Sequence, residues 1–219
     1  MSEVQIPAGR AVLAGNLAIP DGAVALVLFA HGSGSSRHSP RNQFVARTLK
    51  DAGLATLLFD LLTPEEEAID MRTGDLRFNI GLLAERLVDA TRWAKQDRTR
   101  DLSLGYFGSS TGAGAALVAA AEIPKDVGAV VSRGGRPDLA GDALPKVQAP
   151  TLLIVGGNDD IVIELNETAR DQMRCEVKLE IVPGATHLFE EPGALEKVAK
   201  LASEWFVSHL GGEAGPSRE

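Results

Sequence analysis

Cysteine is almost missing from this sequence: Cys175 is the only one. A lone cysteine makes no internal disulfide and builds no cysteine-rich zinc site, so neither staple holds the fold. The plain reading of Cys175 is a small buried hydrophobe. Positive charge is also scarce. Against 30 Asp and Glu stand 22 Lys and Arg, a net charge of −8 with histidine neutral. A nucleic-acid binder normally shows a basic face, so that class of partner is excluded. Long hydrophobic runs are lacking too. The longest, Ala23–Ala30, falls far short of the roughly 20 residues that span a bilayer. Glu3, Pro7 and Arg10 stand where a secretory signal would place its apolar stretch. A soluble, cytoplasmic protein is expected, with no membrane among its partners. Nothing in the sequence fixes an oligomeric state.

What is present is an ordinary globular composition, 44% hydrophobic and 24% charged, without internal repeats or low-complexity linkers. Short apolar runs recur at Val24–Ala30, Ala55–Phe59, Leu102–Phe107, Val127–Val131, Thr151–Val155 and Val177–Val182. Such runs read as strands buried on both faces, as in a parallel sheet. Between them lie segments at helical spacing: Ser39–Ala52, Asn79–Gln96, the small-residue stretch Gly112–Ala121, and Leu195–His209. Strands alternating with helices predict one α/β domain, a mostly parallel sheet flanked by helices. Ala11–Ile19 reads as an additional antiparallel edge strand. Residues 1–210 are assigned to the domain, and the small, polar residues 211–219 to a flexible tail. In such a sheet the active groups belong on loops after the strands' C-terminal ends.

The run Leu102–Phe107 leads into Gly108-Ser109-Ser110-Thr111-Gly112 and then a helix. A Gly-x-Ser-x-Gly string alone often marks only a strand-to-helix turn. Here the small residues on both sides fit a turn so tight that its central residue is strained and lifted into a cleft. Ser110 is then the candidate nucleophile, and the Thr111 backbone N–H a donor to a developing oxyanion. A serine hydroxyl needs a base, and the base needs a carboxylate to orient it. Of the two histidines after Ser110, His209 ends an amphipathic helix, where a surface role is the plain reading. His187 follows the strand Val177–Val182 and sits on the expected edge. Asp159 and Asp160 both follow Thr151–Val155; one would orient His187 and the other cap the next helix, which begins near Ile163. Spacing alone does not choose between them. The second oxyanion donor is expected from His31-Gly32-Ser33-Gly34, with Ser33 N–H the natural group. That loop is not a phosphate loop. No Gly-Lys-Ser/Thr follows it, and Arg37 replaces the third glycine of a dinucleotide fingerprint. His31 precedes the nucleophile and is expected to brace the loop.

From about Ala11 to Leu210 the sequence resembles the α/β-hydrolase superfamily, most closely its dienelactone-hydrolase-like branch. The likeness rests on the His-Gly-Ser-Gly loop, Gly-Ser-Ser-Thr-Gly, Gly-Gly-Asn-Asp-Asp-Ile-Val and Gly-Ala-Thr-His-Leu-Phe. It implies a Ser110–His187–Asp159 triad, the acid loop reading Gly-x-x-Asp-x-x-Val, and oxyanion donors at Ser33 and Thr111. Dienelactone hydrolases proper carry cysteine at the elbow, so Ser110 points to general ester hydrolysis. Residues 60–79 are too few for a large lid and would make at most a small flap. The activity expected is therefore hydrolysis of a small-molecule carboxylic ester, with no metal and no organic cofactor. A thioesterase or lactonase would use the same residues, and a non-catalytic binding protein could use the same scaffold. Arg133, with Arg77, is the candidate grip for a substrate carboxylate. The plainer reading is that these arginines pair with nearby acids and fix loops.

Overall fold

The structure is a computed structural model, and it describes residues 1–96 and 98–211. Eight strands form one sheet: β1 (Ser2–Ala8), β2 (Ala11–Ala18), β3 (Ala25–Ala30), β4 (Ala55–Phe59), β5 (Ser103–Ser109), β6 (Ala129–Arg133), β7 (Thr151–Gly156) and β8 (Val177–Val182). Their spatial order is β1-β2-β4-β3-β5-β6-β7-β8. β1 and β2 pair antiparallel, as do β2 and β4; all other pairs are parallel. The antiparallel strand expected at 11–19 is present, but it is not the edge. β1 covers it through a two-residue turn that pairs Ala8 with Ala11.

Helices α1 (Pro40–Asp51), α2 (Pro64–Thr73), α3 (Ile80–Ala94), α4 (Thr111–Glu122), α5 (Asp160–Gln172) and α6 (Ala194–Leu210) complete a single α/β domain with a 3₁₀ segment at Pro137–Lys146. One apolar layer joins the sheet to α3 and α4, around Leu28, Leu57, Tyr106, Leu87 and Ala116. The opposite layer joins it to α1 and α6, around Phe29, Phe107, Val131, Leu49 and Phe206. The central strand β3 has no polar side chain, because both its faces are covered. Each fully buried Leu or Phe contributes roughly 1.5–3 kcal/mol. Among the described residues, no helix is long and apolar enough to cross a membrane. The tail expected at 211–219 lies, from 212 onward, outside the described residues. Cys175 is half-buried rather than buried, and burial pushes its thiol up.

Residues 60–79 hold a real helix. Thr63 and Glu66 cap α2 reciprocally: Glu66 N–H donates to Thr63 Oγ1 at 3.2 Å, and Thr63 N–H to Glu66 Oε2 at 2.8 Å. Pro64 starts it and Gly74, left-handed, ends it.

Candidate functional site

The site begins with the backbone at residue 110. Ser110 has φ 49° and ψ −123°, one of only two non-glycine residues with positive φ among those described. Such a conformation costs on the order of 1–3 kcal/mol and persists only where its surroundings enforce it. Packing enforces it here. A Cβ on Gly112 would lie 2.3 Å from Ala30 O and 2.5 Å from His31 O, and one on Gly108 would lie 2.4 Å from Ala113 Cα. Only glycine at both positions lets β5 turn sharply into α4. The turn is tied down by Ala113 and Arg136 N–H, which donate to Ser110 O at 3.1 and 3.0 Å. Beneath it, Ser109 Oγ donates to Asn42 Oδ1 at 3.1 Å and anchors β5 to α1.

The loops after β7 and β8 are laced together. Gly157 N–H donates to Val182 O at 2.8 Å and Asn158 N–H to Ala185 O at 2.9 Å. This lacing brings Asp159 to His187, whose Nδ1 lies 2.7 Å from Asp159 Oδ2. An Nδ1–H donated to the carboxylate leaves Nε2 with its lone pair in the neutral ring. The geometry therefore separates two acids that spacing could not. Asp159 meets the histidine, while Asp160 opens α5, three residues earlier than expected. Gly134, next to the β6 residue whose carbonyl accepts Ser110 N–H at 3.4 Å, lies against the His187 ring and carbonyl. Ser110 and His187 thus flank Gly134 on one edge, without a hydrogen bond between their side chains in this conformation. His209 lies elsewhere: it stacks on Trp205 at 4.1 Å and faces Glu176 at 3.5 Å.

His31 braces its loop. Leu61 N–H donates to its Nε2 at 3.1 Å, and its Nδ1 lies 3.0 Å from Gly32 O. Both contacts suit a neutral ring, and burial lowers its pKa. The expected oxyanion donors differ in their freedom. Thr111 opens α4, whose first N–H groups have no partner within the helix. Ser33 N–H is already engaged and donates to Thr111 Oγ1 at 3.1 Å. Ser33, Thr111, Gly32, Leu62, Met71 and Arg77 line a cavity of about 220 Å³ between this loop and α2.

The arginines separate sharply. Arg77 Nε donates to Asp70 Oδ2 at 2.6 Å and its Nη2 to Asp70 O at 2.8 Å, which clamps the α2–α3 connection. Arg37 pairs with Asp60 by side chain and backbone. Arg133 has no such acceptor: Nε and Nη1 are buried without a hydrogen bond, and the residue is 7% exposed. Burial, then the charge of Arg41, pulls its guanidinium down to about 10. Sequence reasoning missed Arg41, which reaches Glu190 at 3.2 Å, and Phe189, buried at φ 56° just after His187. It also missed the Thr111 hydroxyl. Among the described residues no cluster of three or more acids, histidines or cysteines could hold a metal.

Comparison with known proteins agrees with this architecture. Residues 23–203 match the family described as an alpha/beta hydrolase domain. A solved dienelactone hydrolase from Anabaena variabilis is 64% identical, with a TM-score of 0.94, covering 95% of this chain and 97% of that one. Est1E from Butyrivibrio proteoclasticus shares the fold at 17% identity and a TM-score of 0.81, covering 96% of this chain and 100% of its own. Two Mycobacterium tuberculosis proteins named "Putative phosphoribosyl transferase" are 61% identical over 216 residues, 98% of this chain. The chain spans about half of their length, 48%. By its sequence and its fold, the chain belongs to the α/β-hydrolase family, in the dienelactone-hydrolase-like branch.

Proposed function

We propose that this protein is a serine hydrolase that cleaves small carboxylic esters through an acyl-enzyme. The observation that carries this reading is Ser110, held at φ 49° and ψ −123° on the edge that also carries the Asp159–His187 pair. In this mechanism Ser110 Oγ attacks the ester carbonyl carbon while His187 Nε2 takes its proton. The carbonyl π pair moves onto oxygen, and the Thr111 N–H at the start of α4 faces that charge. The tetrahedral adduct collapses, the leaving alkoxide takes the proton from His187, and an acyl-Ser110 remains. Water, deprotonated by His187, then releases the acid. Asp159 keeps the ring in the productive tautomer and stabilises the imidazolium. Neither metal nor organic cofactor takes part in these steps. The same steps open a lactone, which the likeness to the Anabaena dienelactone hydrolase favours as a second substrate class. The reading places the enzyme in the cytoplasm with a small molecule as its partner.

Within this reading Arg133 recognises a carboxylate on the acyl side of the substrate. Its buried, unpaired Nε and Nη1 support that role, while Arg77, held by Asp70, is left to fix the flap. A fluorophosphonate probe and p-nitrophenyl esters test the whole scheme. Wild type should be labelled, and Ser110→Ala should lose labelling and turnover, by on the order of 10⁴-fold. Unlabelled wild type, or a turning-over Ser110→Ala, would overturn the hydrolase reading. A monoester of a dicarboxylic acid should outperform the matched neutral ester, and Arg133→Met should erase only that preference. Equal rates for the two esters in wild type would remove Arg133 from the substrate site.

A further inference from the structure

The sequence points to two backbone donors for an oxyanion, Ser33 N–H and Thr111 N–H. The first is occupied. Ser33 N–H has one hydrogen, and it is directed at Thr111 Oγ1, 3.1 Å away. The same threonine oxygen lies 3.0 Å from Ser33 Oγ, and Ser33 Oγ in turn donates to Arg77 O at 3.4 Å. A hydroxyl has one proton to give and two lone pairs to accept with. Ser33 Oγ gives its proton to Arg77 O, so Thr111 must be the donor in the hydroxyl–hydroxyl contact. One consistent direction therefore runs through the chain: Ser33 N–H to Thr111 Oγ1–H to Ser33 Oγ–H to the Arg77 carbonyl.

We propose that the Thr111 hydroxyl, rather than the Ser33 N–H, is the second oxyanion donor, a catalytic residue that supplies O–H and N–H from one position at the start of α4. This rests on the serine-hydrolase reading and deepens it. Thr111 follows the nucleophile directly, is 4% exposed, and lines the cavity beside Gly32 and Ser33. At rest its proton sits on a neutral hydroxyl oxygen. When Ser110 attacks, the carbonyl oxygen becomes an anion, a much stronger acceptor. Rotation about the Cβ–Oγ1 bond turns the proton away from Ser33 Oγ and toward that oxygen. No proton is transferred; the O–H only donates a hydrogen bond. Ser33 N–H keeps donating to Oγ1 and polarises the O–H it serves, as hydrogen bonds in a chain do. Two features hold the hydroxyl ready. Thr111 is β-branched, with few χ1 options. At the first position of α4 it has no helical carbonyl three or four residues back to distract it.

The two assignments of the donor predict opposite results for Thr111→Val, which keeps the shape and deletes the hydroxyl. With the hydroxyl as donor, kcat on p-nitrophenyl butyrate should fall by roughly 10²–10³-fold, the usual loss for one oxyanion donor, with KM within about threefold. Thr111→Ser should recover most of that loss. With Ser33 N–H as donor, removing its competitor should leave kcat unchanged or raise it, and that result overturns the proposal. So does a loss that appears in KM alone, or one that serine does not rescue. If Thr111→Val melts well below wild type, Thr111→Ala against Thr111→Ser gives the same comparison. Wild type that neither labels nor turns over would instead be a failure of the hydrolase reading, so the two failures are distinct.

Discussion

Replacing Ser110 by glycine should stabilise the fold while destroying its chemistry. At φ 49° and ψ −123° any side chain with a Cβ is strained, by about 1–3 kcal/mol. The serine hydroxyl does not cap α4, so little else is lost with it. Ser110→Ala is the proper reference, because it removes the hydroxyl and keeps the Cβ and its strain. At an ordinary position, Ala to Gly destabilises by about 0.5–1 kcal/mol through the larger freedom of the unfolded chain. At position 110 the relief of strain opposes that loss. The expected balance leaves Ser110→Gly about 1–2 kcal/mol more stable than Ser110→Ala where the strain lies in the upper part of its range. For a domain of this size each kcal/mol moves Tm by about 2–4 °C, so the two melting curves should separate by several degrees. Urea unfolding of the same pair checks that the slope m, and hence the exposed surface, is unchanged. Both variants should be inactive, which leaves stability as the only difference. Ser110→Gly melting below Ser110→Ala would show that residue 110 carries no usable strain.

The remaining expectations concern the acid and His31. Asp159→Asn should lower kcat by on the order of 10³–10⁴, because the amide can turn its NH2 toward His187 Nδ1, so it no longer fixes the tautomer, and it brings no charge to stabilise the imidazolium. Asp160→Asn should stay within about threefold, losing at most the roughly 0.3–1 kcal/mol of an acid at a helix start. Similar, mild effects of both on ester turnover would break the Asp159 assignment. For His31, burial holds the folded ring neutral below its ordinary range, so between the folded and unfolded pKa values the unfolded chain binds the extra proton. Stability should therefore fall as pH drops below about 6.5, by up to roughly 1.4 kcal/mol per pH unit from this residue, and level off above it. Urea unfolding from pH 5 to 8 should show a shallower acid slope in His31→Gln. Identical slopes would mean that His31 does not titrate with folding.

Much of the fold was legible because parallel strands covered on both faces must be apolar throughout. β4 and β8 match their runs end to end, and β3, β5, β6 and β7 within two residues. What escaped were elements whose burial is one-sided. β1 reads Ser-Glu-Val-Gln-Ile-Pro-Ala, and only Ile6 and Ala8 are buried. Its alternation was present but masked by Glu3 and by Pro7, a residue tolerated on an edge strand. α2 shows no apolar stripe, since Ile69 and Met71 are exposed. Its legible signal was chemical rather than periodic: Thr63-Pro64-Glu65-Glu66 is a capping box with proline at the first helical position. At the site, residue types and chain order were enough to nominate Ser110 and His187, because a tight elbow leaves few sequences possible. The choice of Asp159 needed the lacing of two loops that are distant in sequence. So did the finding that Ser33 N–H is engaged by Thr111, 78 residues away.

The arginines show most clearly what sequence leaves out. A cation's position is visible in the chain, but its partner is a property of packing. Arg77 is clamped by Asp70, which lies on the helix that periodicity missed, so the pairing could not be foreseen. Arg133 is neighbour to Ser109 in the sheet register, and its Nε and Nη1 are buried without an acceptor. Leaving buried polar groups without acceptors costs on the order of 1–3 kcal/mol each, more where they are charged. A hydrophobic residue of similar size would avoid that cost. The protein carries a net charge of −8. At long range an anion is repelled, so any carboxylate that settles here must be held by short-range contacts, which salt screens far less than the approach.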